Sequence, residues 1–134
     1  MNMGFRKRLL AGDRLIGTMV TLGYPEMGEI LAGAGFDWLF LDAEHSPMTA
    51  AALQHVMQGA GAEMPCLVRL AAGDQESIKK ALDIGAAGII SPMVNTAEAV
   101  QPYIEQGYTL IVAGTDALLL GAAAAEIFNQ LSGR

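Results

Sequence analysis

The chain is 134 residues long, 52% hydrophobic and 16% charged, with a formal net charge of −6 and a pI near 4.7. That composition supplies one ordinary hydrophobic core and excludes the disorder that follows from low hydropathy and high charge. The acidic balance sets nucleic acid aside as a partner, because binding it draws on clustered Lys and Arg to displace phosphate counterions.

In chain order, the first segment begins like a secretory leader, with Arg6-Lys7-Arg8 ahead of Leu9-Leu10-Ala11. Asp13 and Arg14 interrupt it before an apolar stretch can form, so a cytoplasmic protein is expected. The apolar run "LIGTMV" then reads as a strand, "PEMGEILAGAG" as a helix and "WLFL" as a second strand. The alternation continues with "TAAALQHVMQGAG", "CLVRL", "DQESIKKALDIGA", "GII", "TAEAVQPYIEQG", "TLIV" and "DALLLGAAAAEIFNQL". Gly12, Gly35, Gly61, Gly85 and Gly107 close the helical stretches at nearly even intervals, which marks repeated units. Glycine suits those positions because the residue after a last helical turn often turns left-handed.

The strand-like runs are short and apolar on both alternating faces, as parallel strands covered by helices are. The expectation is an α/β fold of five βα units in one domain over residues 1–134. A complete (β/α)8 barrel needs about 250 residues, so the chain makes a partial TIM-barrel-like arrangement, completed by oligomerisation. The alternative is an open, doubly wound five-stranded parallel sheet. The run "ALLLGAAAA" is shorter than the roughly 20 residues that span a bilayer and lies between Asp116 and Glu126, so it reads as a buried helix and no membrane partner is expected. Cys66, alone in its type, reads as a packed small hydrophobe.

In either architecture the strand ends that feed into helices carry function. "FLDAEHSPM", residues 40–48, puts Asp42, Glu44 and His45 at such an end. Strand alternation turns Trp38, Phe40 and Asp42 to one side and Leu39 and Leu41 to the other. Arg69 ends the next strand in the equivalent place. An aspartate that accepts from one imidazole nitrogen fixes the tautomer and frees the other nitrogen to move a proton, while a guanidinium holds a carboxylate or an enolate. Asp42, His45 and Arg69 are therefore the candidate catalytic residues, and Arg69 the candidate substrate contact. The plainer reading makes Asp42 a helix cap and His45 a solvated loop residue. In "AGTD", Thr115 or Asp116 reads first as a helix cap, the other reading being backbone amides presented to an anion.

From "FRKRLLAGDRLIGTMVTLGYPEMGEILAGAGFDWLFLDAEHSPM" through "VRLAAGDQESIKKALDIGAAGIISPMVNTAEAV", the sequence closely resembles the HpcH/HpaI aldolase family. The resemblance implies a (β/α)8 barrel and metal-dependent aldol chemistry on pyruvate or another small 2-keto acid. It further implies that Asp42 and His45 form an acid/base dyad and that Arg69 stabilises the keto or enolate oxygen. The implied cofactor is a divalent metal, Mg, Mn or Co, acting as a Lewis acid.

After "NTAEAV" the likeness departs. The family's fifth and sixth strands, which supply a glutamate and an aspartate as metal ligands, have no counterpart, and "YIEQGYTLIVAGTDALLLGAAAAEIFNQL" resembles the family's last strand and helix, joined near residues 100–103. The chain is therefore not expected to bind metal in the family manner; Glu44 and Asp116 are candidate replacements, but nothing in their spacing recommends them. Carbon–carbon lyase activity is expected to be impaired or absent. The alternatives are a non-catalytic self-associating remnant and an anion-binding or 2-keto-acid-binding module. If the last strand pairs beside the fourth, the first and last strands become edges whose apolar runs, "LIGTMV" and "TLIV", are templates for another chain, and a homo-oligomer, most simply a dimer, is expected.

Overall fold

The computed structural model describes residues 3–71, 75–90 and 110–132. Helix α1 (Met3–Leu10) precedes strand β1 (Leu15–Val20), which is followed by α2 (Pro25–Gly33), β2 (Trp38–Asp42), α3 (Ala50–Ala60), β3 (Cys66–Arg69), α4 (Gln75–Asp83) and β4 (Gly88–Ile90). Strand β5 (Leu110–Thr115) and helix α5 (Asp116–Ser132) complete the described chain. The expected helix in "TAEAVQPYIEQG", Gly107 and the junction near residues 100–103 lie outside the described residues.

Local chemistry explains the boundaries. Pro25 opens α2 at a position where its missing N–H costs nothing. Thr49 caps α3 by accepting from Ala52 N at 3.2 Å. Gly12, Gly35, Gly61 and Gly85 all adopt positive φ, between 80° and 110°, where the sequence places helix stops.

The five strands form one parallel sheet in the order β4-β3-β2-β1-β5. Helices decide between the two expected architectures. Leu31 of α2, Leu53 and Val56 of α3, and Ala81 of α4 all join one core with Val20, Leu39, Leu41, Cys66 and Val68, so these three helices share a single face of the sheet. A doubly wound sheet would divide them between both faces. The arrangement is the arc of a barrel, with β1 to β4 in sequence order and β5 closing against β1.

The opposite, inner face is lined by Leu15, Trp38 and Phe40, with Phe5 of α1 laid across the strand beginnings. Phe5 and Phe40 each stand 6.3 Å from the Trp38 ring. Arg8 pins α1 there through Asp37 at 2.8 Å, and Asp37 also accepts from Ile16 N at 2.9 Å. Trp38 pairs in register with Gly17, and a Cβ on Gly17 would lie 2.6 Å from the indole Nε1. A glycine is thus the complement of the tryptophan.

Two expectations are corrected. The last strand does not leave β1 as an edge: Leu15 pairs with Leu110 and Ile16 with Ile111 within the same chain. Nor is the C-terminal helix buried. Its Leu120, Ile127, Phe128 and Leu131 are all more than half exposed, because only the start of α5 reaches the sheet. Among the described residues no helix is long and apolar enough to cross a membrane.

Replacing Gly17 by alanine forces the Trp38 indole from its seat. We expect a loss of about 1–3 kcal/mol, the usual cost of overpacking a filled core, measured as a lower urea midpoint with an unchanged slope.

Candidate functional site

All five residues of β2 are buried. The outward pair, Leu39 and Leu41, packs on the helices, while Trp38 and Phe40 face inward, as the alternation predicts. Asp42 follows on the inner side and is 2% exposed. Its pairing partner across the ladder is Arg69, and the guanidinium engages it through both oxygens: Nε to Oδ1 at 3.0 Å and Nη2 to Oδ2 at 2.9 Å. This is the fork geometry in which arginine binds a carboxylate most strongly. Arg69 also lies over the Phe40 ring, 5.4 Å from its centre.

The chain beyond the strand wraps this pair. Glu44 N and His45 N donate to Asp42 Oδ1 at 3.0 and 3.2 Å, and Ser46 Oγ donates to the Asp42 carbonyl. Burial by itself would raise the Asp42 carboxyl, but the hydrogen bonds from Arg69 and from the two amides outweigh it and hold the group below the ordinary carboxylate range. The same contact with Asp42 raises Arg69.

The structure therefore brings Asp42 and Arg69 together and places His45 differently from the expected dyad. Asp42 meets the His45 main chain, while the imidazole points away, two-thirds exposed, with Nε2 3.6 Å from Glu44 Oε1. Glu44 also reaches Arg69, with Oε2 3.2 Å from Nε. Its bridging position was not readable from the sequence, since strand alternation stops at Asp42 and the loop then sets its own directions. Cys66, on the helix side of β3, is buried with its thiol pushed up to about 12 by desolvation, which suits a packed hydrophobe.

Asp116 is also more than a cap. It is 1% exposed and accepts from Ala117 N at 2.8 Å, but also from Thr21 N, Thr21 Oγ and Leu22 N at 2.8, 2.7 and 2.7 Å. Those partners lie 94 and 95 residues away, which no local pattern could announce.

A divalent cation takes oxygen donors, and Asp42 and Glu44 are the carboxylates nearest the strand end. Both are already engaged by Arg69, and among the described residues no group of three or more His, Cys, Asp or Glu is placed to hold a metal. These residues as they stand do not fit such an ion.

The fold is thus a parallel barrel arc with a carboxylate–guanidinium pair at adjacent strand ends. The model of the HpcH/HpaI aldolase/citrate lyase family matches residues 16–109, well over half of the sequence, and the chain belongs to that family. It is 38% identical to the 4-hydroxy-2-oxovalerate aldolase of Novosphingobium aromaticivorans over 96 residues, 70% of this chain and 37% of that one. It is also 38% identical to the 2-keto-3-deoxy-L-rhamnonate aldolase of Escherichia coli strain K12 over 120 residues, 81% of this chain and 45% of the relative. The chain thus spans less than half the length of these curated relatives. Among solved structures, an HpcH/HpaI aldolase/citrate lyase family protein from Burkholderia cenocepacia J2315 matches with a TM-score of 0.64 at 31% identity, over 72% of this chain and 38% of that one. The citrate synthase SbnG matches with a TM-score of 0.61 at 27% identity, over 81% and 54%.

The Asp42–Arg69 pair makes a pH-dependent contribution. Because the Asp42 carboxyl is lowered in the fold, its stabilisation is fully present above the unfolded aspartate value of about 3.9 and is lost as pH falls through the lower folded value. Arg69→Ala strands the buried carboxylate, and we expect a loss of about 3 kcal/mol at pH 7 that shrinks below about pH 4. Denaturant unfolding of both proteins at pH 7 and pH 3 checks this; a gap that stays constant contradicts it.

Proposed function

We propose that this chain recognises a small 2-keto acid such as pyruvate at Arg69, and that carbon–carbon bond cleavage or formation by the chain alone is impaired or absent. The supporting observation is the in-register meeting of Asp42 and Arg69 at the inner ends of β2 and β3. A 2-keto acid presents a carboxylate and a neighbouring ketone oxygen, and a planar guanidinium suits both. Arg69 holds two carboxylates already, but not equally. Asp42 is fixed by two short bonds and by amides, whereas Glu44 makes a single contact to Arg69 and is about a quarter exposed. Glu44 is the group that gives way to an incoming anion.

His45, two-thirds exposed, is the group that would take a proton from the substrate methyl carbon once the keto oxygen is polarised. The metal implied for the family supplies Lewis-acid polarisation of the keto acid when bound. The donor set described above lacks a cage for it, which is the basis for the weakened chemistry.

The test is deuterium uptake into the pyruvate methyl group, followed by mass spectrometry with Mg, Mn or Co added, beside a binding titration with pyruvate and oxamate. We expect binding with a dissociation constant on the order of 1 mM, abolished in Arg69→Ala, and uptake no faster than in buffer. Absence of binding overturns the recognition claim. Metal-dependent uptake that disappears in His45→Ala overturns the claim of impaired chemistry.

A specific observation also favours self-association. On α5, Leu120, Ala124, Ile127 and Leu131 follow a 4-3-4 spacing that stacks them on one side, while Gln130 bonds to Glu126 on the other. Among the described residues, strands β4 and β5 each have one neighbour in the sheet. A second copy of the chain is the occupant that suits both features: its own α5 stripe is complementary by symmetry, and Glu126, the helix's one charged side chain beyond its buried start, lies off the stripe. Light scattering is expected to show a dimer at micromolar concentration, and Ile127→Glu a folded monomer. A stable wild-type monomer excludes this reading.

A further inference from the structure

We propose that Asp116 is a positioning residue for the 2-keto-acid site, holding the loop that carries Glu44 and His45 in place from the far end of the sequence. The proposal rests on the functional reading above and adds a determinant to it.

Three of the four hydrogen bonds to the Asp116 carboxylate come from Thr21 and Leu22, at the exit of β1, and only one from its own helix. Only the last of these lies within the helix, so the helix start does not account for the other three. The exit of β1 leads directly to Gly23, where an added Cβ would lie 2.8 Å from Ala52 Cβ and 3.3 Å from Met48 Cγ, so the loop is seated on the start of α3. Met48 N donates in turn to Ser46 Oγ at 3.3 Å, and Ser46 Oγ donates to the Asp42 carbonyl. Hydrogen bonds therefore tie Asp116 to residues 21 and 22, Gly23 sits so close to Met48 and Ala52 that no side chain fits between them, and hydrogen bonds link Met48 through Ser46 to the end of β2 at Asp42.

The chemistry favours a carboxylate at this place. Two oxygens with four lone-pair sites accept from three amides and a hydroxyl together. An asparagine offers one acceptor oxygen and turns an NH2 group toward donors, so the β1 exit cannot keep its shape. Thr21 supplies the one side-chain donor and can be altered separately.

The experiment uses the whole 134-residue chain, with Asp116→Asn, Thr21→Val and Thr21→Ser, at a temperature where each is folded by circular dichroism. Pyruvate affinity is measured by titration, and amide resonances of residues 42–48 by NMR without ligand. We expect Asp116→Asn to raise the dissociation constant about tenfold, Thr21→Val to raise it to a smaller extent, and Thr21→Ser to restore it. The Glu44 and His45 amides are expected to shift in the first two variants and not in the third. Should Asp116→Asn fail to fold, the valine–serine pair alone decides. Resonance changes confined to residues 21–23 and 117, with affinity unchanged, overturn the proposal and leave Asp116 a purely structural anchor. If the wild-type chain does not bind pyruvate, the functional reading fails, and the resonances of residues 42–48 still decide whether Asp116 positions the loop.

Discussion

A carboxylate that is 2% exposed at the end of a wholly buried strand has to be given a cation, and the rest of the site follows from how that is done. Leaving such a charge unpaired costs several kcal/mol, as much as deleting a large core side chain. Arg69 meets the requirement only because β3 runs beside β2 in a register that sets it opposite Asp42. A slip of one residue would turn Arg69 to the helix side and bring Val68 inward, so the ion pair and the strand register enforce one another.

The two faces of the sheet are accordingly given different chemistry. Outside, α2, α3 and α4 bury aliphatic side chains and the one thiol, and desolvation keeps that thiol inert. Inside, aromatic side chains fill the sheet from its N-terminal edge, with α1 laid across the beginnings of the strands through Phe5 and the Arg8–Asp37 pair. The inner face turns polar at the opposite end, where Asp42, Glu44 and Arg69 cluster. Phe40, itself buried, lies under the Arg69 guanidinium, which adds a cation–π attraction to the ion pair made there.

What the sequence disclosed depended on the range of the interaction. The period-two alternation of "WLFLD" was enough to place Asp42 on the inner side, and the same rule carried over to Arg69, because a strand's geometry is set by its own backbone. The left-handed glycines after three helices and after the first were readable for the same reason. The direction of the His45 imidazole was not, since a loop side chain answers to its neighbours in space, here Glu44. The partners of Asp116 lie across most of the chain, and the burial of α5 was misjudged because apolar composition shows that a helix needs a cover without showing what supplies it. The return of β5 to β1 likewise depends on how far the chain travels between β4 and β5, which composition does not encode.

Asp42 and Asp116 present the same physical problem with two different answers. Asp42 is satisfied mainly by a cation, so a full charge pair stays at the mouth of the arc. Among the described residues Asp116 is satisfied by neutral donors, three amides and a hydroxyl, which join α5 to the exit of β1. At the mouth the balance among Asp42, Glu44 and Arg69 is one cation against two carboxylates, which disfavours a further anion while all three stay in place. That balance makes Glu44 the adjustable member. It is held to Arg69 by one contact at 3.2 Å and has the His45 imidazole 3.6 Å away on its other side, so it can leave the guanidinium without losing every partner. Asp42, gripped at both oxygens and by two amides, has no such freedom. Asp42 therefore sets the orientation of the guanidinium, and Glu44 is its more weakly held neighbour.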